Sequence, residues 1–298
     1  MLRGSRTAHP GHLGLLALTR TVPLLSAVAA LAAAPGPDTL KAWNQYYAWA
    51  NQRVEKEMND SKRFLIEDFL PPAEKTSIRQ ELESGGIAVR RMPCIVPPGV
   101  KFHVPHGEIH HWWGAVLVPK VKLADVMAFV KDYDHQGGRF ADVEKSRLLR
   151  KEGDRYEFFF RLRRTKAIVT VYYNTWQECT YYPKGNGRVW SRSVATKIAE
   201  LADPGTPDER EKSPDEDRGY LSRLVSWWRF EQTDSGVIVE CESASLSRDI
   251  PWIISMIPGV TSYIRATPRE SLESVLSTIR QYVKPGQAQS PAVKPAAR

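Results

Sequence analysis

At 298 residues the chain has length for one large domain or two small ones, with an apolar and charged balance that suits an ordinary globular protein. The formal net charge of +8 is too diffuse to mark a nucleic-acid binder. No P-loop, dinucleotide fingerprint, nucleophile elbow or Cys–His arrangement occurs, which sets aside the common enzyme classes and any expected cofactor.

The first stretch reads as a leader. Arg3, Arg6 and Arg20 precede an apolar run over residues 22–34, no acidic residue comes before Asp38, and Ala30-Leu31-Ala32 offers small residues to a signal peptidase. Residues 1–32 are therefore expected to be a signal peptide cut after Ala32, and the mature protein to be periplasmic or secreted. An uncleaved anchor is the alternative, but the run is shorter than the ~20 residues a spanning helix needs.

Residues 38–107 form an N-terminal helical extension and linker. Leu40, Trp43, Tyr47, Ala50, Val54 and Met58 share one helical face, with Asp38 or Thr39 as cap. Pro71-Pro72 opens a second helix carrying Ile78 and Leu82, ended at Gly85-Gly86. Neither apolar face is stable alone, so both must dock.

The main domain spans residues 108–284. Residues 109–118, IHHWWGAVLV, read as a strand ended by Pro119, and residues 121–133 switch to helical period. A hairpin follows, with residues 155–162 and 167–174 flanking a turn at Arg163-Arg164-Thr165-Lys166. That register pairs Leu162 with Ala167, Phe160 with Val169, Phe158 with Val171 and Tyr156 with Tyr173 on one apolar face. A strand over about residues 187–199 follows the turn Lys184-Gly185-Asn186-Gly187. Residues 203–217, DPGTPDEREKSPDED, read as a mobile surface loop, or alternatively as a lid. In the last hairpin, Thr233-Asp234-Ser235-Gly236 pairs Phe230 with Val239 and Trp228 with Cys241 inward, and Arg229 with Glu240 as an outward salt bridge. Thr267, Pro268 and Glu270 start a capping box, and Leu272, Val275, Leu276, Ile279 and Val283 stripe the helix that follows. Residues 285–298 are expected to be a disordered tail. Cys94, Cys179 and Cys241 form no CxxC pair, and the last two read as buried strand residues.

Strand, helix, a run of antiparallel strands and a long amphipathic C-terminal helix resemble the helix-grip superfamily of START, polyketide-cyclase and coenzyme-Q-binding proteins. The segments that carry the resemblance are WWGAVLVP with KLADVMAFVKDYD, EKSRLLRKEGDRYEFFFRLR, SWWRFEQTDSGVIVECESASLSRDIPW and PRESLESVLSTI. The implied fold is α+β: a curved antiparallel sheet wrapped around a long C-terminal helix, here with an N-terminal helical extension. What it implies for function is a hydrophobic cavity, with the ligand left open.

Trp112, Phe158, Phe160, Tyr173, Trp228 and Phe230 are the expected cavity lining, against simple core packing for each one singly. His110, Arg248 and Trp252 are expected at the rim. His103, His106, His110 and His111 lie close to Glu108 but lack a recognised ligand spacing, so no metal is expected. Glu240 and Glu242 share a strand face, yet pairing with Arg229 argues against catalysis. The expected function is non-catalytic binding of a hydrophobic small molecule or lipid, with passing membrane-surface contact. The alternatives are a cyclase or dehydratase using a His or Glu as acid or base, and a ligand-free envelope interaction module.

Overall fold

A computed structural model describes residues 34–96, 99–166, 169–249, 265–286 and 288. The expected leader, the Ala167 pairing partner, the rim residue Trp252 and most of the expected tail lie outside the described residues.

Helix α1 (Pro37–Met58) is followed by a short 3-10 turn (Ile66–Phe69) and α2 (Pro72–Glu83). Strands β1 (Ile87–Arg91), β2 (Ile95–Val96), β3 (Val100–Lys101) and β4 (Gly107–Pro119) lead to α3 (Leu123–Val130). Then come β5 (Val143–Glu152), β6 (Arg155–Lys166), β7 (Val169–Gly185), β8 (Arg188–Ala202) and β9 (Arg210–Glu211). Strands β10 (Arg223–Thr233) and β11 (Gly236–Arg248) and helix α4 (Thr267–Tyr282) complete the described elements. Nine strands form one sheet in the order β1-β4-β11-β10-β8-β7-β6-β5, with β9 beside β8, while β2 and β3 pair separately. Every pairing in the sheet is antiparallel. With α4 gripped by this sheet, the fold is α+β helix-grip.

The two faces are covered by different helices. On the concave face α4 packs Leu272, Leu276 and Ile279 onto Val116 and Val89, while α3 brings Val126 and Phe129. Gly114 makes this close approach feasible, since a Cβ there would sit 2.7 Å from Leu276 Cδ1. The N-terminus of α4 is tied to β6 through Arg164, which pairs with Glu270 (2.9 Å) and Asp142 (2.8 Å). Its cap is Ala266, with no side-chain cap bond; Thr267 lies within the helix and Glu270 serves Arg164 rather than a capping box.

On the convex face α1 and α2 cover the sheet over β4, β11, β10 and β8, while the same face of β5–β7 keeps half-buried side chains such as Phe159 and Trp176. Trp43, Tyr46, Ala50 and Val54 join Trp113, Ala115, Trp227 and Ile238 in one buried cluster. Tyr46, rather than the expected Tyr47, takes the central position; Tyr47 stacks on Trp227 at the margin. The N-cap of α1 is Gly36, and Thr39 instead donates to the Pro105 carbonyl at 2.7 Å, fastening the helix to the linker.

A charged network lies within this interface. Arg229, Glu240, Glu242 and His111 point from the sheet into it and are almost wholly buried. Arg53 of α1 pairs with Glu242, and Glu57 one turn later holds Arg229 at 2.5 Å. His111 Nε2 donates to Glu242 at 2.7 Å, and its Nδ1 meets the Tyr46 hydroxyl at 2.5 Å. Arg229 also donates to the Phe64 carbonyl, and Glu240 accepts from the Ile66 amide at 2.6 Å. The outward Arg229–Glu240 salt bridge expected from sequence is thus corrected. The two residues are register partners, but their face is sealed by the extension and each has been taken by a group from it.

The hairpin registers divide in the same informative way. β10 and β11 pair as expected, with Phe230 opposite Val239 and Trp228 opposite Cys241. In the β6–β7 hairpin the strands run on through Arg163–Lys166, so Leu162 lies opposite Tyr173 and Phe160 opposite Thr175. The register is displaced by six residues from the one expected. Arg164 in the expected turn is a strand residue because Asp142 and Glu270 neutralise it. An even displacement leaves each side chain on its expected face.

Candidate functional site

The concave face is built by even positions of β4, β6 and β10 and odd positions of β7 and β11. Register lines up Trp112, Ser243, Ser226, Ser193 and Cys179 across five strands. One step toward the strand ends stand His110, Ser245 and Leu224, and one step the other way Gly114, Cys241, Trp228 and Ser191.

The expected lining residues separate into two groups. Phe158, Phe230 and Tyr173 are buried to 2%, 1% and 3% exposure and pack within the core. Phe158 stacks on Tyr133 with ring centroids 4.0 Å apart, which consumes its face. Tyr173 is pressed beneath residues 200–220, where burial raises its pKa well above that of a free phenol, and its hydroxyl finds no hydrogen-bond partner. Trp112, Phe160 and Trp228 are only half-buried although they stand on the inner side of the sheet.

Their neighbours on the other face behave differently. Trp113 and Trp227 each follow or precede a concave tryptophan by one residue, and each is 1% exposed. The same two strands therefore carry tryptophans that are fully enclosed on one face and half-buried on the other.

Polar groups stand among these side chains on the concave face. Trp228 Nε1 donates to Ser226 Oγ at 3.1 Å, which sets the indole plane. Ser193 donates to Gln177 (3.2 Å), whose amide donates to Thr175, which donates to the Phe160 carbonyl. His110 Nε2 lies 2.9 Å from Ser247 Oγ, and burial lowers the pKa of this imidazole. Cys179 and Cys241 are buried thiols whose pKa values burial raises, which suits packing rather than reactivity.

At one end of the face, residues 203–217 form a folded flap rather than the mobile loop expected. β9 pairs with β8, and the fully buried Glu200 holds Lys212 (2.7 Å) and Arg218 (2.5 Å). Arg161 adds a bidentate grip on Glu209. Arg248, expected at the rim, stands at this flap: its amide donates to the Gly219 carbonyl at 2.8 Å. The start of the expected tail is also anchored, the Ala288 amide donating to Asp125.

Among the described residues no group of three or more His, Cys, Asp and Glu is placed to hold a metal. An open cleft of about 500 Å³ between α3 and β5–β6 is lined by Leu148 and Tyr156 of the concave side but not by Trp112 or Trp228, and another of about 390 Å³ lies between the end of α1 and the β7–β8 turn. The carboxylates that sequence reasoning set aside, Glu240 and Glu242, are shifted in opposite directions. Burial outweighs Arg229 and pushes Glu240 up to about 8, whereas Arg53 and His111 overcome burial and hold Glu242 at about 2. Being sealed beneath α1, they serve docking of the extension.

No family model matches the chain, and no curated protein matches it. Among solved structures, the chain is similar to a STAR-related lipid transfer protein fragment from Xanthomonas axonopodis. Identity is 16% over 60% of this chain and 96% of that one, with a TM-score of 0.40. It is also similar to the Zhui aromatase/cyclase from Streptomyces sp. R1128 (11% identity, 61% and 94% covered, TM-score 0.37). Human STARD10 is similar at 10% identity, with 76% and 84% covered and a TM-score of 0.36. These structures are START lipid-transfer proteins and an aromatase/cyclase of the helix-grip superfamily.

Proposed function

We propose that the chain is an exported, non-catalytic binding protein that holds a hydrophobic small molecule or lipid against the concave face of its sheet. The observation that carries this reading is the asymmetry of the paired tryptophans. Trp113 and Trp227 are enclosed by the extension, while Trp112 and Trp228, with Phe160, keep open surface on the side that α4 faces. Large aromatic side chains left open on the inner side of a sheet supply apolar area for a guest. Burying that area is worth about 25 cal/mol per Å² before association costs are subtracted. The basic balance of the chain suits passing contact with anionic headgroups during loading.

Native mass spectrometry of the protein purified from its own envelope fraction tests both parts. Export predicts a chain beginning at Ala33, and binding predicts a near-stoichiometric apolar guest released by solvent. Trp228→Ala is expected to lower guest occupancy severalfold with the circular dichroism spectrum retained. Full retention of the guest by that variant would sink the assignment.

A further inference from the structure

Within that binding reading, on which this inference rests, the chemistry of the groove floor narrows the guest. A sheet face meant only to be packed takes β-branched and aromatic side chains. Here the centre of the concave face instead carries Ser226, Ser243 and Ser245 on two adjacent strands, bounded by Trp112 and Trp228. The Ser245 side chain is nine-tenths buried, at 8% exposure, and its hydroxyl makes no hydrogen bond among the described residues. Ser243 is half-buried and likewise makes none. Neither oxygen is among those shut off from solvent, so both face the space in front of the sheet. Ser226 accepts from Trp228, which leaves its own proton available. A solvent-reaching hydroxyl on the inner side of the sheet can bond water or the oxygen of a guest.

The register row through Ser226 and Ser243 runs on through Trp112 to Arg91 at the sheet edge, and one step beyond Ser245 the residue Ser247 lies opposite Glu108, which Arg265 holds at 2.9 Å; the serines themselves lie between these charged margins and the indoles. We propose that the guest is an oxygen-bearing molecule. Its hydroxyl or carbonyl is turned inward onto Ser243 and Ser245, and its apolar body lies between Trp112 and Trp228. Ser243 and Ser245 follow one another on the same face of β11, about 7 Å apart, so one ring or chain oxygen seated between them can reach either.

The test uses the full chain and a matched pair of probes, 1-hydroxypyrene and pyrene, with energy transfer from tryptophan as the readout. The hydroxylated probe is expected to bind about threefold to tenfold more tightly, the effect of one or two buried hydrogen bonds. The double variant Ser243→Ala/Ser245→Ala is expected to erase that preference by weakening 1-hydroxypyrene alone, leaving pyrene unchanged. Equal binding of the two probes by the parent, with Trp228→Ala weakening both, would overturn this inference while leaving the groove as a binding site. A preference that survives loss of both serines would overturn it too. If neither probe binds, the binding reading itself falls, and this inference with it. The serine changes remove one atom each, and an unchanged circular dichroism spectrum shows that the variant has folded.

Discussion

Glu242 and Glu240 sit two residues apart on one strand and respond to burial in opposite ways. Glu242 is charged because Arg53 and His111 both reach it, and removing it strands those groups in an interior without water. Glu242→Ala is therefore expected to cost about 3–5 kcal/mol in urea unfolding. Glu240 faces Glu67 as well as Arg229, and one of its oxygens has no partner, which suits a protonated carboxyl. Its folded pKa of about 8 lies above that of a free glutamate, so the folded chain binds the extra proton. The associated stability is present below about pH 4.5 and is lost as pH rises through 8. Glu240→Gln, which keeps the acceptor for the Ile66 amide, is expected to flatten the stability profile between pH 5 and 8. It should leave the variant more stable than the parent above pH 8. A profile identical to the parent's would show that Glu240 titrates normally. This carboxyl was legible in the sequence as a strand residue opposite Arg229. Its burial was not, because burial comes from a helix almost two hundred residues away in sequence.

At the scale of elements, what could be read depended on whether the signal was local. The β10–β11 register follows from a short turn bounded by alternating side chains, and it matches residue for residue. The β6–β7 turn was misplaced because Arg163-Arg164-Thr165-Lys166 has the polarity of a loop. The charges that let Arg164 remain in a strand, Asp142 and Glu270, lie 22 and 106 positions away. The concave aromatics were placed on the correct face, yet three of the six are core. Alternation tells which way a side chain points and is silent on how deeply the next layer covers it. One available clue went unused. In β4 both Trp112 and Trp113, and both Val116 and Ala115, are apolar, the mark of a strand covered on two sides rather than one. That second cover is the extension. Deleting residues 34–84 is expected to expose Trp113 and Trp227 and to give a product that aggregates or binds a hydrophobic dye strongly. A soluble, monomeric truncation with a native-like spectrum would mean that the extension is dispensable.

For the whole molecule, the strands β4, β11, β10 and β8 divide two differently built layers. The convex side holds an ionic network that needs exclusion of water. The concave side holds half-buried indoles and the serine hydroxyls to which the proposed guest is assigned. A single sheet of alternating side chains can serve both because each residue's partner in register contributes to the same layer. The division also implies that ligand loading can proceed without disturbing the docking of α1, since no described hydrogen bond passes from Glu242 to the serine floor.

The margins of this sheet have a consequence of their own. Among the described residues its two outermost strands, β1 and β5, have a strand neighbour on one side only, and an open sheet edge invites another chain to add itself. β1 is five residues long and ends in Arg90-Arg91. β5 is longer, but its register slips twice against β6, and it carries Lys145, Arg147, Arg150 and Lys151. Two copies meeting edge to edge along β5 would bring like charges together on a bent ribbon. The cationic residues that contribute to the basic balance of the chain thus also act as a fence, keeping a protein built around one large sheet from growing into a fibre.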